Sequence, residues 1–280
     1  MIQTRKISVP VQRCCQLLEV PRSEVYRPRV ERKPDALIPL VCQAVQERRA
    51  YGYRRIAAHL RRQGESQASL KRVRTLMHRL GLGCKLQRRW TRTTIAGKGP
   101  AAPNLAKGLV LTGPGQLLLT DLTYVALPGC FGYVSVVLDA YTRKALGWAA
   151  ATSMSLELPK AALAIALSQV ELAPDWIHHS DRGSQYTSSE YQNLVQSQGG
   201  TLSNSRPGNP YDNAIMESFF KTYKHEEANL NDYDTLEEIQ KSLDLFLDDY
   251  NSNRLHSSLG YRSPNEYENL HAEQTSVCVR

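Results

Sequence analysis

The 280 residues include 35 Lys+Arg against 27 Asp+Glu, a formal net charge of +8, and 41% of them are apolar. Such a chain can bury a sizeable core, in one large domain or in two ordinary ones. Residues 1–100 hold 23 basic against 6 acidic side chains, a net of +17, and residues 101–280 hold 12 against 21, a net of −9. This asymmetry favours two regions, and it indicates that the basic one meets a polyanion such as nucleic acid.

Several classes of protein are disfavoured by the same composition. The basic start at Arg5 and Lys6 precedes a stretch that is interrupted at Pro10, so it does not resemble a secretory signal. No apolar run approaches the roughly 18 residues of a membrane span. Six cysteines without CxxC spacing predict reduced thiols in place of a zinc site or disulfides. We expect a soluble, cytoplasmic protein without a membrane partner.

The N-terminal segment, residues 1–35, is predicted to be helical, with two short helices over 8–30. Pro28 and Pro34 break this pattern and indicate a linker at 28–35.

A helix-turn-helix region is predicted for residues 36–92. Helices are expected at 37–49, at about 53–63, and from a Ser69 cap to about Leu80, ended by Gly81. The expected buried stripe of the last helix consists of Leu70, Val73, Leu76, Met77 and Leu80. The candidate DNA-binding side chains are Arg54, Arg55, Lys71, Arg72 and Arg74. An ordinary helical hairpin with snorkelling arginines is the alternative, and the charge asymmetry favours DNA binding.

A linker rich in Gly, Pro, Ala and Thr is predicted at 93–115, and the pattern changes after it. Three strand-like segments follow, of which the first two, "QLLLTDLTYVAL" and "FGYVSVVLDAYT", are separated by a Pro-Gly turn. Helices and short strands then alternate up to the long amphipathic "TLEEIQKSLDLFLDDYNSNR". This order predicts an α/β layer with a mixed sheet.

Three acidic residues occupy edges of these predicted elements. Asp121 interrupts an apolar strand, Asp181 ends a short strand before a glycine-containing loop, and Glu217 begins the helix in "NPYDNAIMESFFKTYKHE". An acid within an apolar strand is costly unless it faces a cleft, a partner or a metal. Any one of these acids, taken alone, is more simply explained as an ordinary polar residue than as a metal ligand. Together they fit the oxygen ligands that divalent cations need for phosphodiester chemistry.

The motifs around these acids carry a family resemblance. Between Asp121 and Asp181 lie 59 residues, and between Asp181 and Glu217 lie 35. With "TDLTYV", "HSDRGSQYTS", "GNPYDNAIMESFFKTYKHE" and "YNSNRLHSSLGYRSPNEY", the chain resembles, over residues 8–270, the second-reading-frame protein of a bacterial two-frame insertion sequence. That family consists of DDE transposases related to retroviral integrases.

The resemblance implies a ribonuclease H-like catalytic core at 116–270, a mixed five-stranded sheet with flanking helices, before a tail at 271–280. It implies that Asp121, Asp181 and Glu217 bind two Mg²⁺ or Mn²⁺ ions and catalyse cleavage and strand transfer at the element's ends. The implied partners are duplex DNA, as terminal inverted repeats and as target, further copies of the chain, and the upstream-frame protein. The DNA-bound protein would lie at the bacterial nucleoid.

The helix that begins with Glu217 carries further candidates. The resemblance places Lys224, two turns after Glu217, at a phosphate of the DNA end, and Lys221 is a weaker candidate of the same kind. A plain solvated lysine is the alternative for Lys224. Phe220 on the same face is expected to pack into the core instead of stacking on a base.

Neighbouring polar residues receive structural or open assignments. Asp139 is expected to be structural, with Arg143 as a partner, and Asp212 to be the turn or cap residue that starts the Glu217 helix. Strand packing is expected for at least one of His178 and His179, whose alternative is contact with metal or phosphate.

The C-terminal motif and two departures from the family pattern complete the candidates. For Arg254 and His256, phosphate contact and structural hydrogen bonding stay equally open. Gly115 and Leu118 stand where the family commonly has Asn and Trp, which is expected to alter packing before the strand. The chain has no coiled-coil heptads of its own, so fusion to the upstream-frame product is an expected requirement for full activity.

Two other functions compete with the transposase. One is a DNA-binding regulator or relic whose core has no chemistry, and the other is a nuclease acting on RNA·DNA hybrids. The intact acidic triad argues against the first, and the basic helical region and Lys224 argue against the second.

Overall fold

The computed structural model describes residues 10–25, 35–83, 102–206 and 210–278. The chain divides into two compact units, Met1–Leu40 and Val41–Arg280. The first unit contains two short helices, α1 (Val11–Leu17) and α2 (Arg22–Val25). The linker predicted at 28–35 lies outside the described residues except at Asp35, as does the part of the second predicted linker before residue 102. Within the described residues, no helix has the length and apolar character needed to cross a bilayer.

Three helices form at the predicted helix-turn-helix positions: α3 (Leu37–Glu47), α4 (Tyr53–Arg62) and α5 (Leu70–Arg79). As predicted, the Ser69 side chain caps α5 by accepting a hydrogen bond from the backbone N–H of Arg72 at 3.3 Å. The α4–α5 connection turns through Gly64, at φ +96°, and the chain leaves α5 through Gly81, at φ +64°.

The predicted buried stripe of α5 is wrong at its two ends. Val73, Leu76 and Met77 are buried, whereas Leu70 is 44% and Leu80 39% exposed. Both residues keep the helical spacing, but they stand at the first turn and just past the last turn of α5. The helix α4 packs against α5, and the buried residues are those in the middle of the stripe.

The second unit is built on a five-stranded sheet in the order β3–β2–β1–β4–β5. Its strands are β1 (Leu117–Leu127), β2 (Cys130–Asp139), β3 (Ala145–Ala151), β4 (Ile177–Ser180) and β5 (Thr201–Asn204). The first three strands form an antiparallel meander, and β4 and β5 add parallel to β1. This is the mixed sheet that the sequence predicts.

Helices cover both faces of the sheet. They are α6 (Glu157–Gln169), α7 (Ser189–Ser197), α8 (Ala214–Tyr223), α9 (Leu236–Ser252) and α10 (Pro264–Cys278). Alternation along β1 assigns its side chains to two cores. Leu119 joins the core formed by α8 and α9, and Leu118 joins the one formed by α6 and α7. Asp121, two residues after Leu119, shares the face of α8 and α9, and Phe220 of α8 is buried in that core as predicted.

Part of the predicted linker packs against the sheet. The backbone N–H of Ala102 donates to the side chain of Asn204 at 2.8 Å, and that of Leu105 donates to Ser203 Oγ at 2.9 Å. The backbone N–H of Asn204 also donates to the carbonyl oxygen of Pro103 at 3.4 Å, so this segment pairs one backbone group of the β5 edge.

Gly115, one of the two departures from the family pattern, is required by the backbone. It has φ +73°, its N–H donates to Asp139 Oδ1 at 3.0 Å, and an added Cβ would overlap the carbonyl oxygen of Glu171. The other departure, Leu118, is fully buried.

We expect Gly115→Ala to lower the free energy of unfolding by at least about 2 kcal/mol, because it adds backbone strain and a clash with backbone. Gly129→Ala is the matched control, since Gly129 has φ +72° with no atom within 4 Å of an added Cβ. Urea denaturation checks both variants. Equal losses of stability in the two would show that the overlap at Glu171 has no cost.

Candidate active site

Asp121 and Asp181 reach the same place through the pairing of two parallel strands. In the β1–β4 ladder, Leu119 is opposite His179. Continued by two residues on each segment, this register brings Asp121, midway along β1, opposite Asp181, the residue just after the carboxyl end of β4, where open α/β sheets build their sites. The backbone N–H of Leu122 donates to Asp121 Oδ1, and that of Gly183 donates to Asp181 Oδ1, each at 2.8 Å.

The electrostatics of the two acids confirm that they are neighbours. Burial raises the pKa of Asp121 to about 7, and the charge of Asp181 adds to this rise while Lys224 opposes it. Burial also raises the pKa of Asp181, against the hydrogen bond from Gly183. Two half-buried carboxylates beside each other repel, so this site favours a cation.

The donor set fits a hard divalent cation. Among the described residues, neither Asp121 Oδ2 nor Asp181 Oδ2 accepts a hydrogen bond, so each acid has an oxygen available. Carboxylate oxygens are the ligands that Mg²⁺ and Mn²⁺ prefer. The described residues contain no group of three or more His, Cys, Asp or Glu side chains placed to hold a metal together.

Glu217 lies on the first turn of α8, above the strand that carries Asp121. The helix start is held near β1, because Asn213 Nδ2 donates to the carbonyl oxygen of Thr120 at 3.4 Å. The Glu217 carboxylate forms an ion pair with Lys221 at 2.7 Å, and it is 47% exposed. Its charge still contributes to the raised pKa of Asp121. The structure thus brings the two aspartates together and leaves Glu217 nearby with Lys221.

Lys224 stands at the junction of α8 and a π-helical turn, Lys224–Ala228. Its ammonium lies 4.4 Å from the ring centroid of Tyr124, within the range of a cation–π contact. Burial lowers the pKa of Lys224, while Tyr124 and Asp121 raise it. Lys224 is therefore held beside the acidic pair and is not a freely solvated lysine. Tyr124, three residues after Asp121 in "TDLTYV", was not among the sequence candidates, although an aromatic residue this close to a strand acid was a usable signal.

The candidate DNA-binding residues of the helix-turn-helix region occupy different environments. Arg54 and Arg74 come from different helices, and their guanidinium carbons lie 5.3 and 5.8 Å from the ring centroid of Tyr53. Lys71 is exposed, and Arg72 is half-buried and donates to Gln67 at 2.8 Å. These residues form an accessible basic surface around α5.

Arg55 faces the core of the second unit, unlike the other basic candidates. Its guanidinium lies 3.9 Å from the carboxylate of Glu226, which also accepts two hydrogen bonds from Arg254, at 2.9 and 2.5 Å. Arg254 is buried, so of the two roles left open for it, the structure shows structural hydrogen bonding. Glu226 was missed by the sequence analysis because its partners are remote along the chain.

The polar residues flanking the acids are structural. Asp139 accepts hydrogen bonds from the backbone and side chain of Thr142, both at 2.7 Å, and from Gly115. His178 hydrogen-bonds with Tyr191 at 2.9 Å, and His179 contacts two serine hydroxyls. Strand packing therefore accounts for both histidines.

Asp212 does not cap α8. The cap position is Asn213, and Asp212 pairs with Arg206 in the turn that precedes the helix. This arginine is the largest cause of the lowered pKa of Asp212.

His256 predicts a measurable pH dependence of stability. Burial lowers its pKa to about 3, and Arg254, Arg55 and Arg143 add to the effect. Between pH 6.5 and about 3 the unfolded chain binds a proton here and the folded chain does not, so this residue destabilises the fold as the pH falls. We therefore compare the free energy of unfolding of the wild type with that of His256→Gln. The wild-type value minus the variant value should decrease as the pH falls through this window, by up to ~1.4 kcal/mol per pH unit. A difference in unfolding free energy between the two proteins that stays constant over this pH range would contradict the prediction.

Comparisons with known proteins define the class and then the family. Residues 112–210 and 198–264 match two families of integrase core domains, and residues 33–90 match an HTH-like domain. The catalytic region is thus an integrase core, which supports polynucleotidyl transferase activity. The transposase for insertion sequence element IS904 of Lactococcus lactis subsp. lactis (strain IL1403) is 37% identical over 221 residues, 78% of this chain and 87% of that protein. The chain belongs to the insertion-sequence transposases.

A second relative and a solved structure extend the comparison. The insertion element IS600 uncharacterized 31 kDa protein of Shigella sonnei is 35% identical over 263 residues, 89% of this chain and 95% of that protein. The crystal structure of the catalytic core domain of BIV integrase matches with a TM-score of 0.43 and 18% identity, covering 58% of this chain and 99% of that one. The predicted family, the ribonuclease H-like fold class and the function in DNA transposition and integration are confirmed. A core of this family implies the use of a divalent metal.

Proposed function

We propose that the chain is a Mg²⁺- or Mn²⁺-dependent DDE transposase that cleaves and joins DNA strands at the ends of its insertion sequence. The observation that supports this most is that the parallel register of β1 and β4 brings Asp121, midway along β1, next to Asp181 just after β4, below the helix that carries Glu217. Asp121 and Asp181 hold the ions in this proposal. The Glu217 carboxylate completes the site by leaving its ion pair with Lys221 and binding a metal ion. Two bound ions supply a Lewis acid for the attacking oxygen and for the leaving oxygen.

The chain's own residues bind and orient the DNA in this proposal. Lys224, fixed over Tyr124 beside Asp121, contacts a phosphate of the DNA end, and Lys221 is released for a similar contact when Glu217 turns inward. The helix-turn-helix residues Arg54, Lys71, Arg72 and Arg74 bind the terminal inverted repeat. The domain limits proposed with this function are 36–92 for DNA binding and 116–270 for catalysis, with segments 1–35, 93–115 and 271–280 around them.

Strand cleavage and joining on a labelled duplex that carries the element's end, with Mg²⁺ or with chelator, tests the proposal. The assay uses this chain alone and fused to the upstream-frame product, because that product and further copies of the chain are the protein partners proposed for full activity. Metal-dependent joining that disappears in Glu217→Gln is the expected result. Sequence-specific binding without chemistry in both forms would indicate a regulator, and cleavage confined to RNA·DNA hybrids would indicate a nuclease.

The DNA-binding surface has its own prediction. Replacing Lys71, Arg72 and Arg74 with Ala should weaken binding to the terminal repeat and reduce the slope of log affinity against log salt by about 2 to 3, since each phosphate contact releases about one counterion. Fluorescence anisotropy over a range of salt concentrations measures both. The matched control is Lys107→Ala, a lysine of the segment before β1 outside the proposed surface. An unchanged affinity and slope in the triple variant would remove α5 from the interface.

A further inference from the structure

The carboxylate of Glu226 joins three parts of the chain. It belongs to the π-helical turn Lys224–Ala228, it accepts two hydrogen bonds from Arg254 in the segment after α9, and Arg55 of α4 approaches it to 3.9 Å. The side chain of Arg254 is 4% exposed and that of Glu226 17% exposed. Because little water screens these charges, one carboxylate balances two guanidinium groups that would otherwise repel each other.

A second set of contacts fixes Arg55 in this position. The backbone N–H of Leu255 donates to the hydroxyl of Tyr51 at 2.9 Å, and the Arg55 guanidinium lies 5.5 Å from the Tyr51 ring centroid. Tyr51 is 3% exposed and precedes α4 by two residues. The start of α4 is thereby held against the segment that carries Arg254.

The position of Glu226 affects Lys224 directly. Glu226 lies two residues after Lys224 in the same turn, and the turn closes when the N–H of Asn229 donates to the carbonyl oxygen of Lys224 at 2.9 Å. Turns of the π type are wider than α-helical turns and occur often at functional sites. A displaced Glu226 would therefore displace the backbone of Lys224 and its ammonium over Tyr124.

We propose that Arg55 is a positioning residue that, through Glu226, couples the helix-turn-helix region to the turn that carries Lys224. The inference rests on the proposed function, since it assigns to Lys224 a role in placing the DNA end. It also reassigns Arg55, which the sequence predicts to contact DNA. In this proposal the Glu226 carboxylate connects the helix-turn-helix region, which holds the terminal repeat, to the turn that carries Lys224.

Arg55→Gln tests the coupling, with Arg48→Gln as its matched control. Arg48 also connects the helix-turn-helix region to the core, through Asp249 of α9 at 2.7 Å, and its side chain is 25% exposed against 29% for Arg55. Its side-chain hydrogen bonds and ion pair go to Asp249 and not to the turn, although its guanidinium carbon also lies 6.0 Å from the Tyr51 ring centroid. We expect Arg55→Gln to keep the affinity for the terminal repeat within about twofold while the single-turnover joining rate at saturating protein falls at least about tenfold.

Two further results are expected. Arg55→Lys, which keeps the charge opposite Glu226, restores most of the rate, and Arg48→Gln keeps the rate within about twofold. Amide hydrogen exchange at residues 224–228 accelerates in Arg55→Gln and stays unchanged in Arg48→Gln. This readout requires no catalysis.

Three outcomes would overturn the inference. Weaker binding of the terminal repeat by Arg55→Gln would make Arg55 a DNA contact. An equal loss of rate in both Gln variants would indicate general docking of the two regions, and a wild-type exchange pattern at 224–228 in Arg55→Gln would show no coupling. Absence of metal-dependent joining by the wild type is a different result, because it rejects the proposed function while hydrogen exchange still decides on the coupling.

Discussion

Asp121→Asn is expected to abolish strand joining and to make the metal-free protein more stable. The joining rate should fall about a thousandfold or more, because in the proposed site an amide cannot replace a carboxylate that acts together with Asp181 and Glu217. Stability should rise in chelator at pH 8, by at most the roughly 4 kcal/mol that a pKa rise from 3.8 to about 7 represents. There the wild type keeps an ionised carboxylate whose pKa burial and Asp181 raise to about 7, and the variant removes that charge.

The pH dependence of this gain gives a check on its origin. A carboxyl group whose folded-state pKa is raised binds a proton more readily in the folded chain, so the wild type recovers stability as the pH falls from 8 through 7 towards 4. The advantage of Asp121→Asn should shrink over that range. Asp175→Asn is the control, because Asp175 is exposed and has φ +56°, which Asn tolerates. If Asp121→Asn keeps its joining activity, the assignment of Asp121 to the active site is wrong. If it shows no gain in stability, the ionised Asp121 carboxylate does not destabilise the fold.

Arg254→Met is expected to cause the largest loss of stability among single changes outside the acidic site. The substitution leaves Glu226 buried with only the more distant Arg55 as a partner, and breaking a buried pair in this way costs about 3 kcal/mol. Urea denaturation of the metal-free protein measures the loss. Adding Glu226→Gln to Arg254→Met should recover part of it, since the second change removes the uncompensated charge.

Arg48→Met is the control for this prediction. Its ion pair with Asp249 is more exposed, so the loss should stay below about 1 kcal/mol. If Arg254→Met is no more destabilising than Arg48→Met, the buried network contributes little to stability. If the loss of stability in the double variant equals the sum of the losses in Arg254→Met and Glu226→Gln alone, the two residues do not interact.

The sequence predicted the helices and strands well wherever the hydrophobic periodicity agreed with capping and turn residues. The Ser69 cap and Gly81 bounded α5, and the Pro-Gly turn separated β1 from β2. Alternation also identified Asp121 as an exception within an apolar strand. These signals are local, so one sequence is sufficient to read them. The ends of the α5 stripe were misjudged because burial there depends on which neighbouring elements reach the helix ends, which periodicity does not encode.

The contacts that the sequence could not predict join distant residues. Glu226 and Arg254 are separated by 28 positions, and Arg55 lies in a different predicted domain. A basic residue on a helical face has the same local pattern whether it meets a phosphate or a carboxylate of its own chain. Charge composition therefore assigned Arg55 to DNA, and only the packing of α4 against the core distinguishes it from Arg54.

The position of β1 between β2 and β4 has a consequence for how the protein is made. The pairing of β1 with β2 needs only a two-residue turn. Its pairing with β4 joins residues such as Leu117 and Ile177, which are separated along the chain by the rest of the meander and by α6. During synthesis the hairpin can form while β4 is still inside the ribosome, so one edge of β1 waits unpaired. The arrival of β4 pairs the Leu117–Leu119 part of that edge and places Asp181 next to Asp121 in the same event. A nascent or misfolded chain that exposes this edge therefore also lacks the acidic pair of the proposed active site.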